Sequence, residues 1–194
     1  MIEIKSFFGE EIASFIPELA KLRIEVFRDF PYLYEGDLDY EKKYLKIYPE
    51  SKRSVLVAAF YEGKIIGAST ALPLIDEADY VQEPFLKNKM DLNQIYYFAE
   101  SVLKKEYRGQ GVGKLFFQNR EKAALKFHFK KAAFCSVVRD LNHPERPKNY
   151  EPLEPFWKKQ GFAKKENIIS QFSWKDCGDK EETYKEMTYW MKDL

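Results

Sequence analysis

The segment Arg108-Gly109-Gln110-Gly111-Val112-Gly113-Lys114 carries the most specific chemistry in this sequence. It joins a strand-like run, 94–103, to a helix-like run, 112–127. A glycine-rich turn opening a helix leaves several backbone N–H groups without intrahelical partners, and the helix dipole adds partial positive charge there. Together they favour a bound phosphate. Arg108 and Lys114 place formal positive charge on either side. Two common phosphate loops fail on residue identity. A P-loop needs Gly, four residues, then Gly-Lys and a hydroxyl side chain. The outer positions here are Arg108 and Leu115. The dinucleotide fingerprint Gly-x-Gly-x-x-Gly fits Gly109 and Gly111, but its third glycine falls on Lys114.

A third pattern, Arg/Gln-x-x-Gly-x-Gly/Ala between a strand and a helix, is matched by Arg108, Gly111 and Gly113. Here the chain resembles the GNAT superfamily of acyl-CoA-dependent N-acyltransferases. The likeness extends through Glu106-Tyr107 before the turn. It continues in Phe156-Trp157-Lys158-Lys159-Gln160-Gly161-Phe162, which is similar to the family's aromatic-x-x-x-Gly-Phe helix end. The resemblance implies acetyl-CoA as acyl donor, its pyrophosphate held by Arg108, Gly109, Gln110, Gly111, Val112, Gly113 and Lys114. It also implies a cleft between two splayed strands, where the backbone of Ser101, Val102 and Leu103 pairs with pantetheine. Residues 1–194 would form one such domain.

The elements that must position this turn are legible as alternating strands and helices. Ile2 and Ile4 alternate with charges in a short strand. Ile16, Leu19, Leu22, Val26 and Phe27 recur at helical spacing, with Pro17 suited to the first turn and Pro31 as a stop. A second helix is expected over about 38–48. Runs 54–61 and 65–72 flank Glu62-Gly63-Lys64, a hairpin signal. Residues 77–90 read as a short helix and loop. A strand at 94–103, a helix at 112–127, a strand at 132–138 buried on both faces and a helix at 153–160 follow, with Gly161 ending the last. Strands 168–174 and 183–191 close the chain. The expected fold is α/β (α+β): a GNAT-like mixed, mostly antiparallel sheet of about seven strands flanked by helices.

Acyl transfer to an amine needs a group that removes the amine proton and, for some thiolates, a donor to the leaving sulfur. Glu100 lies in an apolar strand and is the candidate base; its bland alternative is a solvent-facing or salt-bridged carboxylate. Some family members carry the base at the position of Tyr97, which a regular strand points to the opposite face from Glu100. A bulge would reverse that parity. Other members use a Glu on the next strand, but that position is Val137. The family's usual donor Tyr is replaced by Trp157, whose indole N–H is no acid. The usual Asn seven residues earlier is Tyr150, which becomes the candidate donor. By the same resemblance the acceptor pocket lies between the first helical pair and the last hairpin. Tyr34, Arg139 and Trp174 are its candidate contacts, with core packing and loop anchoring as competing roles.

Composition bounds the alternatives. The 194 residues suit one domain, 45% are hydrophobic, and the net charge of +1 gives no argument for nucleic acid. No apolar run reaches the length of a membrane span, roughly 20 residues, and Met1 to Lys5 has no signal-peptide pattern. Cys135 and Cys177 make no secreted-type framework, so a reducing, cytoplasmic setting is expected. Cys135 reads as a buried thiol, not a nucleophile. His128 and His143 have no companion at ligand spacing, so no metal is expected. The expected function is acetyl transfer to a primary amine of a small molecule or amino-acid-like compound, by a monomer or homodimer. A non-catalytic CoA-binding or regulatory domain and acetylation of a protein amine are the alternatives.

Overall fold

The computed structural model describes residues 1–194. Seven strands form one sheet: β1 (Glu3–Phe8), β2 (Val55–Tyr61), β3 (Lys64–Pro73), β4 (Ile95–Leu103), β5 (Lys131–Val137), β6 (Ala163–Trp174) and β7 (Thr183–Asp193). Their spatial order is β1-β2-β3-β4-β5-β7-β6. Six α-helices accompany them: α1 (Ile16–Phe27), α2 (Leu38–Tyr44), α3 (Ile47–Glu50), α4 (Asp79–Lys87), α5 (Val112–Lys126) and α6 (Glu154–Lys159). Every strand pair is antiparallel except β4–β5, which α5 connects in parallel. A parallel pair requires such a crossover.

Local sequence explains most boundaries. Pro17 sits in the first turn of α1. Glu62 (φ 50°) and Gly63 (φ 75°) both adopt the left-handed conformation of a tight hairpin turn. The helix expected over 38–48 is instead two, broken at Leu45–Lys46. Pro49 is the cause, since in a continuous helix its ring would clash with the carbonyl four residues earlier. The Asp37 side chain caps α2 by accepting from Tyr40 N–H at 2.8 Å. β6 starts at Ala163, earlier than its apolar run suggests. It is an edge strand, so Lys164 to Asn167 keep polar side chains where the register shifts between Lys165 and Ile169.

Each face of the sheet has its own core. Under α1–α4 lie Leu19, Leu22, Leu72, Phe85, Tyr97 and Tyr189. Under α5 and α6 lie Phe98, Phe116, Phe117, Phe134, Phe162 and Trp190. Neighbouring Tyr97 and Phe98 therefore serve opposite faces, as strand alternation demands.

The central strands part company half-way. β4 pairs with β5 only from Ile95 to Tyr97, against Lys131 to Ala133, yet both strands run on to Leu103 and Val137. Ala132 to Phe134 are buried, whereas Cys135 to Val137 are only half-buried. The expectation of a strand buried throughout is thus corrected, because β4 has diverged from that end. On its other edge β4 remains paired to β3, with Ser69 opposite Ser101 and Ala71 opposite Phe98. Ala99 and Glu100 together face Thr70, which is a β-bulge.

Candidate active site

The phosphate turn is built as its residue types require. A 3-10 turn, Lys105–Tyr107, leads into Gly109 (φ 77°) and Gly111 (φ 83°), and Gly111 caps α5. Both glycines hold the left-handed backbone that L side chains resist. A Cβ on either would meet nothing within 4 Å, so the space beside the turn is open to a ligand. Gly113 differs: a Cβ there would stand 3.4 Å from the Phe156 ring, which ties α5 to α6. Val112, Gly113 and Lys114 occupy the first helical turn, whose N–H groups lack intrahelical acceptors. Lys114 and Gln110 are exposed. Arg108 is turned away from the glycines. Its Nε donates to Leu103 O at 3.1 Å, and its Nη2 lies 3.6 Å from Asp29 in the loop after α1.

From this turn the gap between β4 and β5 leads inward. Ser101 and Leu103 still pair with β3, while their β5-side edge has no strand partner. Unpaired strand groups need hydrogen-bonding partners. At the vertex the Tyr97 hydroxyl and the Cys135 thiol are hydrogen-bonded at 3.0 Å across the two strands. Burial pushes the thiol up to about 12, against the opposing pull of that hydroxyl, so Cys135 stays protonated at neutral pH.

Glu100 occupies the bulge and is only 2% exposed. Its Oε1 lies 2.5 Å from Arg23 Nη1 of α1. Its Oε2 accepts from the hydroxyls of Tyr48 and Thr70, and its N–H donates to Thr70 Oγ1 at 3.1 Å. Tyr97 and Glu100 therefore face the same core, because the bulge reverses the parity that a regular strand would impose. Arg23 also binds Glu41 of α2, with Nε 2.5 Å from Oε2. From the opposite face buried Arg120 of α5 makes long hydrogen bonds to the carbonyls of Thr70 (3.5 Å) and Glu100 (3.4 Å). Two guanidinium groups thus brace the bulge.

Tyr34, Arg139 and Trp174 converge on one clamp. Arg139 donates to Pro31 O and Tyr32 O, both at 2.7 Å, and to both oxygens of Asp176 at 2.8 and 2.9 Å. The Trp174 indole donates to the same Tyr32 carbonyl at 3.0 Å. Tyr34 makes an antiparallel bridge with Asp176. Lys185 reaches Asp176 at 3.1 Å. Burial favours a protonated Asp176, but the bonds from Arg139 and Lys185 outweigh it and hold the carboxyl below its usual range. The loop after α1 is therefore stitched to the β6–β7 turn. Tyr150 joins this rim edge-on against Phe30, ring centres 4.8 Å apart. Trp157 is half-buried and packs onto the core, against Phe134 (5.1 Å) and Trp190 (5.2 Å).

Two side chains, Arg23 and Glu77, lie outside the sequence-derived set, and Tyr32 belongs to the 31–37 segment expected from sequence as one wall of the acceptor pocket. Arg23 looks like one more helical cation in the sequence, and only the fold supplies its two carboxylates. The Tyr32 ring packs on Phe27 (4.6 Å), and burial, then the Cys135 thiol, raises its hydroxyl's pKa. Glu77 is buried.

Comparison with known proteins places this architecture. Residues 19–162 match the model of the acetyltransferase (GNAT) family. The chain belongs to that family. No functionally curated protein matches it. Among solved structures, the GNAT chain is similar to an acetyltransferase of the GNAT family from Streptococcus pneumoniae (16% identity, 100% of both chains covered, TM-score 0.61). It is also similar to a ribosomal-protein-alanine N-acetyltransferase from Brucella melitensis (13%, 99% of both chains, 0.61). A third, from Elizabethkingia anophelis with acetyl-CoA bound, shares 14% identity over 100% of this GNAT chain and 98% of its own (0.54). At these identities the likeness is one of fold. It extends over the whole length, including the β4–β5 pair that frames the cleft.

Proposed function

We propose that residues 1–194 form one acetyltransferase domain that transfers an acetyl group from acetyl-CoA to a primary amine of a small, amino-acid-like or aromatic compound. The observation that carries this is the strand edge of β4 left without a β5 partner between the Tyr97–Cys135 vertex and the Gly109–Gly113 turn. The first-turn N–H groups of α5 and Lys114 would hold the pyrophosphate of the donor. Ser101, Val102 and Leu103 would pair with its pantetheine amides. The acetyl-CoA-bound relative from Elizabethkingia anophelis supports that donor. When bound, acetyl-CoA supplies a thioester; the chain's part is to orient it, exclude water and move protons.

The amine would enter from the α1–α4 face, past the clamp of Tyr34, Arg139 and Trp174. Arg139 and Trp174 act chiefly by fixing Tyr32, since their donors are spent on the loop. Tyr150 is the proposed donor to the departing thiolate, because Trp157 packs against the core and has no acidic proton. Glu100, expected as the base, is assigned here to hold Arg23 and the bulge. Incubation of the purified chain with acetyl-CoA and a panel of primary amines and peptides, read by product mass, tests the assignment. Acetylated small amines support it. Acetyl-CoA binding without turnover on any acceptor would favour a CoA-binding regulatory domain. Turnover on peptides alone would favour a protein amine.

A further inference from the structure

Glu77 follows a 3-10 turn, Leu74–Asp76, at the end of β3 and precedes α4. Pro73 pairs with Tyr96 and Leu72 with Tyr97, so this turn follows directly on the β3 segment that flanks the vertex residue Tyr97. The Glu77 side chain is 4% exposed. Its Oε2 accepts only from Ala78 N–H at 3.1 Å, and its Oε1 is buried with no partner. A buried carboxylate without a paired cation is rare and expensive, and such groups concentrate at functional sites.

The charged groups around it are few. Arg23 from α1 is already shared between Glu41 and Glu100. Glu100 from β4 and Asp76 from its own turn repel a negative charge. Burial first, and then Glu100, lift the Glu77 pKa to about 7, against the weaker pull of Ala78 N–H and Arg23. The titratable groups facing it are otherwise neutral. They are the phenols of Tyr44 (α2), Tyr48 (α3), Tyr80 (α4), Tyr97 (β4) and Tyr189 (β7), and the Cys135 thiol (β5). Each is pushed upward in part by the Glu77 charge, including both members of the pair at the vertex. Glu100 has three side-chain partners; Glu77 has one backbone N–H.

We propose that Glu77 is the proton acceptor for the attacking amine, an assignment that rests on the acetyltransferase reading. The acceptor arrives as an ammonium ion and gives one proton to the Glu77 carboxylate. The freed nitrogen lone pair forms the N–C bond to the thioester carbonyl. The C–S electron pair leaves on sulfur, which takes the Tyr150 hydroxyl proton, and the nitrogen's second proton restores Tyr150, giving amide and CoA thiol. Glu77 then returns its proton to solvent.

Two measurements test this. Carbon-13 NMR of protein labelled at glutamate carboxyls, with Glu77→Gln to assign the signal, should show Glu77 titrating near neutral pH. Titration in the ordinary carboxylate range overturns the proposal whatever the acceptor is. Separately, pH–rate profiles are recorded with tyramine, which suits the aromatic walls, at saturating acetyl-CoA. Glu77→Gln should lower kcat by about 100-fold or more and remove the acid limb, with calorimetric affinity for acetyl-CoA unchanged. Glu77→Asp should recover part of the rate. A Gln variant that keeps the wild-type rate and acid limb overturns the role of Glu77 and leaves the acetyltransferase reading standing. A wild-type protein that binds acetyl-CoA yet acetylates neither tyramine nor the other amines removes both.

Discussion

Replacing Glu77 with glutamine removes a titrating carboxyl of nearly the same shape, so it isolates the energetic consequence of burying that group. In the unfolded chain the carboxyl titrates near 4.5; in the folded protein burial and Glu100 move it to about 7. The native state therefore binds the proton more tightly than the unfolded state. Its contribution to stability is full below about 4.5 and is lost as pH rises towards 7, above which the fold carries a buried, unpaired charge. The rise corresponds to roughly 3 kcal/mol, at ~1.4 kcal/mol for each tenfold change in proton affinity. Glutamine does not titrate. Glu77→Gln should therefore gain about 3 kcal/mol on wild type between pH 4.5 and pH 8, and be the more stable protein at the upper end. Urea unfolding followed by the fluorescence of Trp157, Trp174 and Trp190, run on both proteins across that range, measures the difference. A gap that does not widen with pH would refute the claim that this carboxyl is buried without a partner. The expected exchange of stability for activity is familiar at functional sites.

Other consequences are local. Arg23→Met strands Glu41 and Glu100, both buried, and should cost about 3–5 kcal/mol in urea unfolding; a loss under 1 kcal/mol would mean that the bulge does not depend on this ion pair. Arg139→Ala frees the Pro31 and Tyr32 carbonyls and half of the partners of Asp176. It should raise the KM for the amine while leaving the KM for acetyl-CoA unchanged, as steady-state kinetics with each substrate varied will show. Gly111→Ala should fold, because its added methyl group meets nothing, at a cost of roughly 1–2 kcal/mol for the left-handed backbone.

The elements were legible because hydrophobic periodicity and turn residues agree with the fold along most of the chain. The two misplaced boundaries have specific causes. Pro49 acts four residues upstream of itself, and β6 begins with charged residues because it is a sheet edge. The phosphate turn was readable because it is local: left-handed glycines and a helix start are encoded within a few residues. The rest of the site is not local. Glu100 carries no mark of its partners Arg23, Tyr48 and Thr70, which come from α1, α3 and β3. The parity conflict between Tyr97 and Glu100 was the one trace of the bulge that sequence alone offered. Glu77 lies in a polar stretch whose composition suggests a surface, yet the fold buries it. Tyr34, Arg139 and Trp174 meet only because the loop after α1 and the β6–β7 turn are hydrogen-bonded to each other.

The most direct measurement is calorimetric titration of the wild-type chain and of Gly111→Asp with acetyl-CoA, CoA and ATP. An aspartate at the open face of the turn would place a negative charge where pyrophosphate is proposed to sit. The predicted result is selective binding of acetyl-CoA and CoA by the wild type, with both lost in a folded Gly111→Asp variant. Equal binding by the two proteins, or binding of ATP alone, would contradict the assignment of this turn and of the cleft it opens into.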